Sequence, residues 1–339
     1  RRMIFGDVPL EQAEGAILAH SMPALKDGRP HRIAKGTVLT AAHLAELAAA
    51  GRDHVVVARL GDDDIEENAA ALELAQALVP DAQTQGLRIS GAGAGRVNLY
   101  ATTPGVAVMD VAAINALNDV HPMITLATVP QYHRCDAGGM VATIKIIAYG
   151  VPHAALAQAA TAGRAALHIA PPRYATATLI ESQVGGAAPS AKGRDAMAGR
   201  LERLAMTLTP RVICDHTTDA LAYEIAQAPG DVVLVLTASA TSDPEDVAPQ
   251  ALRVAGGQVA AFGMPVDPGN LLFFGSINDK PVIGLPGCAR SPALNGADWV
   301  LERLVCGLAL DQRDISTMGV GGLLKEIPTR PRPRSAPKS

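Results

Sequence analysis

Residues 232–246 read Val232-Val233-Leu234-Val235-Leu236-Thr237-Ala238-Ser239-Ala240-Thr241-Ser242-Asp243-Pro244-Glu245-Asp246. Five consecutive apolar residues without a polar alternation describe a strand buried on both faces. The run ends in a turn carrying the hydroxyls of Thr237, Ser239, Thr241 and Ser242. Asp243, Glu245 and Asp246 then place carboxylates at the start of a helix reaching Val254, where they suit the positive end of its dipole. A fully buried strand that turns into a helix is the repeating unit of a parallel α/β sheet, and ligands of such sheets gather at the carboxyl ends of the strands.

The same grammar extends in both directions. Upstream lie a strand at Thr178-Leu179-Ile180, a helix from Asp195 to Met206, a strand from Arg211 to Cys214 and a helix from Thr218 to Gln227. Downstream come further strands, including those at Phe273-Phe274 and Val282-Ile283-Gly284-Leu285, and a helix from Ser291 to Cys306. The fold class expected here is α/β, with a mostly parallel sheet and helices on both faces. Two more turns, Met264-Pro265-Val266-Asp267-Pro268-Gly269-Asn270 and Leu285-Pro286-Gly287-Cys288-Ala289-Arg290-Ser291-Pro292, border these strands. Together with the first turn they form one expected crevice, for which a phosphate-bearing ligand is the natural occupant.

Pro171-Pro172 interrupts regular structure and marks a boundary. It divides an N-terminal α+β region rich in strands (1–172, with subdomains of about 1–80 and 81–172) from the α/β domain (173–310). Residues 311–339, ending in the Pro- and Arg-rich Ile327 to Arg334, read as a linker or disordered tail. In the first region Thr40 caps a short helix ending at Gly51, Val55–Ala58 forms a strand, Asp62-Asp63-Asp64 opens a helix from Ile65 to about Val79, and Asp110 caps another helix. Two strands follow, at Met123–Val129 and Met140–Ile147.

The chain has 339 residues, 48% hydrophobic, enough for two domains with separate cores. A net charge of −4 provides no basic field for nucleic acid or an anionic membrane. Four scattered cysteines (Cys135, Cys214, Cys288, Cys306) form no Cys-x-x-Cys pair, so neither a disulfide framework nor a zinc site is signalled. No apolar stretch approaches the roughly 20 residues of a bilayer span, and the first residues lack the apolar core of a signal peptide. A cytoplasmic location is the expectation.

Five weaker signals carry bland readings beside chemical ones. The acidic triad Asp62–Asp64 is read as a solvated helix start ahead of a metal site. The glycine-rich Ile89 to Leu99 segment, with Arg96, is equally a hairpin or an anion-binding turn. Lys145, in an otherwise apolar strand, is read as lying on a sheet edge ahead of a polar crevice. His133, Cys135 and Asp136 are read as structural ahead of a metal cluster, and Cys288 as a small packing residue ahead of an activated thiol.

The order hydroxyl-rich turn, Pro268-Gly269, and Gly284-Leu285-Pro286-Gly287 followed by a helix resembles the molybdopterin-binding domain of the molybdenum insertase (molybdopterin molybdotransferase) family. That domain carries G-G-x-S-x-G-x-x-D, P-G-K-P and G-L-P-G-N-P turns. Ser242 and Asp246 match the first, Pro268 and Gly269 the second, and Gly284, Leu285, Pro286 and Gly287 the third. The stretch Val8 to His20, with Lys35-Gly36-Thr37-Val38-Leu39, looks like the family's opening, whereas residues 80 to 175 match its pattern poorly. The resemblance to a divergent branch, in which this domain precedes a nucleotidyltransferase, implies molybdopterin or its adenylylated form as ligand, with Mg2+ as companion cation, a nucleotidyltransferase domain or protein as partner, and a homodimer. It implies cofactor-binding roles for Thr237, Ser239, Thr241, Ser242, Pro268, Gly269, Asn270, Gly284, Pro286, Gly287, Arg290 and Ser291, and a catalytic, metal-organising role for Asp246.

The departures bear on mechanism. Ser239 and Ala240 replace the glycines of the first turn, Asn270 replaces the lysine of the second, and Cys288 and Ala289 replace the asparagine and proline of the third. Arg290 and Arg253 are the candidates to supply the missing positive charge. The readings open at this point are a protein of molybdenum-cofactor biosynthesis with molybdenum insertion, a non-catalytic molybdopterin-binding module serving a nucleotidyltransferase that attaches CMP or GMP, and a nucleotide pyrophosphate hydrolase.

Overall fold

The computed structural model describes residues 3–326. It contains two compact units, one built from residues up to 103 together with 107–169, the other from 104–106 and the chain from 170 onward.

The first unit holds two separate buried clusters. Strand His54–Arg59 is central to a three-stranded antiparallel sheet with Ile4–Pro9 and Ile17–Leu18. Its alternate residues Val55 and Val57 meet Leu18, Leu39 and Leu47 in the smaller cluster. Helix Ala41–Ala49 starts on a capping box in which the Thr40 hydroxyl accepts from His43 N and the His43 ring accepts from Thr40 N. The larger cluster lies under a four-stranded antiparallel sheet ordered Ile124–Thr128, Met140–Ile146, Arg96–Ala101, Leu87–Ile89. Leu74 and Leu78 of helix Glu67–Leu78 belong to this cluster, as do Leu117 of helix Val111–Val120 and Leu156 of helix His153–Ala162.

Two local expectations change, and one open pair of readings is decided. The segment after the acidic triad is not yet helical. Asp64–Glu66 is a strand paired antiparallel with Gly150–Pro152, and the helix begins at Glu67, capped by the Glu66 carboxylate through Asn68 N (3.0 Å) and Ala69 N (3.1 Å). A partner strand far along the chain overrides the local helical pattern. Lys145 lies on a strand flanked on both sides, not on an edge, and its ammonium pairs with Glu67 at 3.7 Å and donates to Ala94 O. The glycine-rich segment closes a hairpin between Leu87–Ile89 and Arg96–Ala101. Its amides are used internally, Gly93 N and Arg96 N by each other's carbonyls and Gly95 N by Asn68 Oδ1, so none of these three is left for an anion.

In the second unit the sheet runs Thr207–Leu208, Thr176–Gln183, Val232–Leu236, Lys280–Gly284, Phe273–Ile277, Gln258–Phe262, with Val212–Asp215 also paired to Thr176–Gln183. Every pairing out to Lys280–Gly284 is parallel, and the last two are antiparallel. Strand Val232–Leu236 is wholly buried. Val233 and Val235 pack with Leu221 and Ile225 of helix Thr218–Gln227 and with Leu252 of helix Val247–Val254. On the other face Leu236 packs against helix Ala191–Glu202, where a Cβ at Gly193 would lie 2.9 Å from its Cδ2. The sheet is therefore mostly parallel and covered on both faces.

Residues 311–326, expected to begin a tail, are folded. Helix Gln312–Ser316 buries Ile315, Met318 follows it into the core, and Asp267 exchanges backbone bonds with Gly322 O (2.8 Å) and Leu324 N (2.9 Å). Apolar side chains at these two positions give the segment an anchor that its polar, glycine-rich context hides. The Pro- and Arg-rich stretch from Ile327 lies outside the described residues.

Gly284, counted from sequence among the ligand-binding glycines, is buried, and a Cβ there would fall 1.9 Å from Phe273 Cε1. Gly284→Ala is expected to destabilise the protein by about 1–3 kcal/mol through overpacking. Chemical denaturation checks this against Gly6→Ala, whose added methyl would meet nothing within 4 Å.

Candidate functional site at the carboxyl edge of the parallel sheet

The first and third turns leave neighbouring strands side by side, since Val235 pairs with Gly284 and Leu285 N donates to Val235 O at 2.8 Å. Arg290 joins them: its Nη2 donates to Thr237 O, and its Nη1 to Gly287 O at 3.4 Å. The second turn backs onto the helix that follows the third. Gly296 N donates to Pro268 O at 2.8 Å, and buried Gly269, at φ 138°, leaves no room for a Cβ, which would sit 2.6 Å from Gly296 N. Helix Gly296–Val305 begins on a capping box between Asn295 and Asp298.

One buried guanidinium fixes the third turn. Arg200, on helix Ala191–Glu202, donates to the carbonyls of Ala289 (2.9 Å), Ser291 (2.8 Å) and Ala293 (3.0 Å), and its Nε pairs with Asp298 Oδ1. The other Asp298 oxygen accepts from Asn295 N at 2.8 Å, so the carboxylate holds both a helix cap and the arginine. An arginine suits this place because its planar fork reaches several carbonyls at once.

The hydroxyl-rich turn divides its side chains between inside and outside. Thr237 and Thr241 are buried. The Thr237 hydroxyl donates to Ser239 O at 2.6 Å and stands 3.5 Å from that of Thr241, so this pair shapes the turn. Ser239 and Ser242 are exposed. Asp246 is the N-cap of helix Val247–Val254, with Oδ2 accepting from Ser242 N (3.0 Å) and Oδ1 from Val247 N (2.7 Å). The amides of Ser242 and Val247 hold its carboxyl below the ordinary aspartate range, against a smaller opposing effect of burial. Both oxygens thus serve backbone amides. Among the described residues no group of three or more His, Cys, Asp or Glu side chains is placed to hold a metal ion. The role the structure gives Asp246 is that of a helix cap.

The remaining candidates fall around this edge. Pro286 is buried and Gly287 exposed at the start of a 3-10 turn, Gly287–Arg290. Ser291 is exposed, with Oγ accepting from Ala293 N at 3.2 Å. Asn270 closes its own turn by donating Nδ2 to Met264 O at 3.0 Å. Of the two candidate cations, Arg290 stands between the first and third turns, whereas Arg253 donates to Pro244 O (2.7 Å) and pairs with Glu245 (3.6 Å). Burial pushes the Cys288 thiol up, with Arg200 opposing it only in part, the reverse of an activated thiolate. In the first unit Asp136 pairs with Arg134 and the Cys135 thiol donates to His133 O at 3.6 Å, which makes that trio structural.

Sequence reading missed Ser182, Glu181 and His216. Buried Glu181 takes a bidentate bond from Arg211 (2.7 and 3.2 Å), and Arg211 also donates to Pro189 O (2.7 Å) in the loop after the strand. Buried Ser182 accepts from Ala238 N at 2.8 Å, and its Oγ lies 2.9 Å from His216 Nδ1. The available signal was two polar residues at the end of an apolar strand, Glu181-Ser182, which a strand interior would not carry without partners.

Residues 7–59 match a family profile described as a domain of unknown function, DUF8806. No curated protein sequence matches the chain. Among solved structures, the chain is similar to the molybdopterin biosynthesis MoeA protein from Pyrococcus horikosii at 15% identity, covering 92% of this chain and 75% of that one, with a TM-score of 0.32. At that level of likeness the functional reading rests on the site residues. No helix of the described residues is long and apolar enough to cross a membrane.

Two measurements test this geometry. Arg200→Ala leaves Asp298 buried without its partner and is expected to cost about 3–5 kcal/mol in denaturant titration, with Asp298→Asn in the same background recovering part of the loss. Asp246→Ala is expected to lose about 1 kcal/mol of stability, and Asp246→Asn less, because asparagine also caps but carries no charge. The folded-state pKa of Asp246 is depressed, so its ionic contribution is present above the ordinary value of about 3.9 and is lost as pH falls through the lowered folded value. The stability difference between wild type and Asp246→Asn should therefore shrink below about pH 4.

Proposed function

We propose that the second unit binds molybdopterin, or its adenylylated form, through its phosphate at the carboxyl edge of the parallel sheet, and that the protein serves molybdenum-cofactor biosynthesis. The observation that carries the reading is the convergence of the motif turns: Arg290 spans the first and third, and Pro268-Gly269 of the second backs onto the helix after the third. In this reading Ser239 and Ser242 offer exposed hydroxyls, the amides around Gly287 offer donors, and Arg290 supplies the positive charge that Asn270 lacks. Thr237, Thr241, Pro268, Gly269, Asn270 and Gly284 hold the turns in shape.

Binding without metal insertion is the form of the function we favour, because both oxygens of Asp246 are engaged by amides. In this reading the chemistry belongs to a partner, for which a nucleotidyltransferase is the candidate.

Calorimetric titration with molybdopterin, adenylylated molybdopterin and simple nucleotides, with and without Mg2+, tests the reading. A pterin form is expected to bind without turnover and without a Mg2+ requirement. Release of AMP from adenylylated molybdopterin supports insertion chemistry instead, and hydrolysis of simple dinucleotides supports a pyrophosphate hydrolase. Ser242→Ala is expected to weaken pterin binding by about 1 kcal/mol, the worth of one hydrogen bond, while Arg290→Ala weakens it by about 1.5–3 kcal/mol.

A further inference from the structure

His216 follows the strand Val212–Asp215 directly, and its backbone N donates to Gln183 O at 2.8 Å. That bond sets the residue beside the end of strand Thr176–Gln183, where its ring meets Ser182 at 2.9 Å through Nδ1. The Ser182 hydroxyl is buried and already accepts the Ala238 amide of the hydroxyl-rich turn. A hydroxyl has one proton to give. Oγ has lone pairs enough for both the amide and a ring N–H, but among the described residues Nδ1 is the acceptor placed for its proton, and giving it there leaves the neutral imidazole protonated on Nε2. The bond thus selects the tautomer as well as the ring's orientation.

His216 is partly exposed. It is joined to the hydroxyl turn through Ser182 and Ala238, and by strand order it lies on the side away from Arg290. Nothing in the sequence motifs points to this residue, because its place is created by two neighbouring parallel strands.

We propose that His216 is a ligand-contacting residue of the crevice, its Nε2–H donating to a phosphate oxygen, with Ser182 as the positioning residue that holds it in the donating tautomer. This rests on the phosphate-binding reading given above. The pair supplies a second donor opposite Arg290, so the crevice grips a phosphoryl group from two sides with no lysine in the second turn.

The test uses the whole chain with inorganic pyrophosphate as probe. Long-range proton–nitrogen NMR of the imidazoles at about pH 8, above the ordinary histidine range, is expected to show His216 as the Nε2–H tautomer and to show that nitrogen shifting on pyrophosphate addition. His216→Ala is expected to weaken pyrophosphate binding at least about tenfold, the worth of a charge-assisted hydrogen bond. His216→Gln, whose amide reaches the place of Nε2, is expected to keep most of the affinity. Ser182→Ala is expected to produce a mixture of tautomers and intermediate affinity, and Ser182→Thr, which keeps the hydroxyl, to behave as wild type. Should Ser182→Ala fail to fold, the tautomer in wild type and the two His216 variants decide the matter. Pyrophosphate bound by wild type with equal affinity in His216→Ala, or a wild-type ring in the Nδ1–H form, overturns this inference and leaves the crevice reading standing. Absence of pyrophosphate binding to wild type overturns both.

Discussion

The candidate site depends on the buried guanidinium of Arg200. A turn at the end of a strand exposes carbonyls that no ladder satisfies, and those of Ala289, Ser291 and Ala293 all point to this one side chain. Burying a charge of this kind is costly unless it is paired, and Asp298 supplies the pair while capping the helix that follows. The result is a rigid third turn, on which Arg290 is aimed at Thr237 O and Gly296 is held against Pro268. Loss of the arginine removes the framework that brings the turns together, although Arg200 itself belongs to none of the motifs.

A second constraint concerns what polar groups near the crevice are free to do. The turn after Leu236 has four hydroxyls in sequence, yet Thr237 and Thr241 are consumed in folding the turn. The Asp246 carboxylate is consumed in capping, as its depressed pKa reflects. What remains exposed on this turn and the third includes the hydroxyls of Ser239 and Ser242, Arg290, and the side chains of Asp243 and Glu245. In the reading proposed above, the exposed serine hydroxyls and Arg290 are the donors for an anion. The chemistry implied by the residue types is thus narrowed by which of them the fold has already used.

The first unit makes the same point with a charged pair. Lys145 and Glu67 meet beneath the glycine-rich hairpin, where a Cβ at Gly95 would fall 2.6 Å from Glu67 Oε2. Burial raises the Glu67 pKa, and Lys145 is the main group opposing that rise. Glycine is required here by positive φ (68°) and by the pair packed under it. The turn that resembled an anion cradle is the lid of an internal ion pair.

Sequence by itself determined the elements whose signals are local. The unbroken apolar run Val232–Leu236 and the strand–helix alternation after residue 175 were enough for a covered, mostly parallel sheet, and the capping residues Thr40 and Asp110 for their helices. The motif turns were legible for the same reason, being short and marked by glycine and proline. Tertiary structure alone decided what depends on partners distant in the chain. It made Ile65 a strand residue by pairing it with Val151, placed Lys145 inside a sheet, folded residues 311–326 onto Asp267, and turned Asp246 into a cap. It also joined Ser182 to His216 and Ala238. Local pattern records what a segment prefers, whereas the identity of a side chain's partner is fixed only when non-neighbouring strands and turns are packed together.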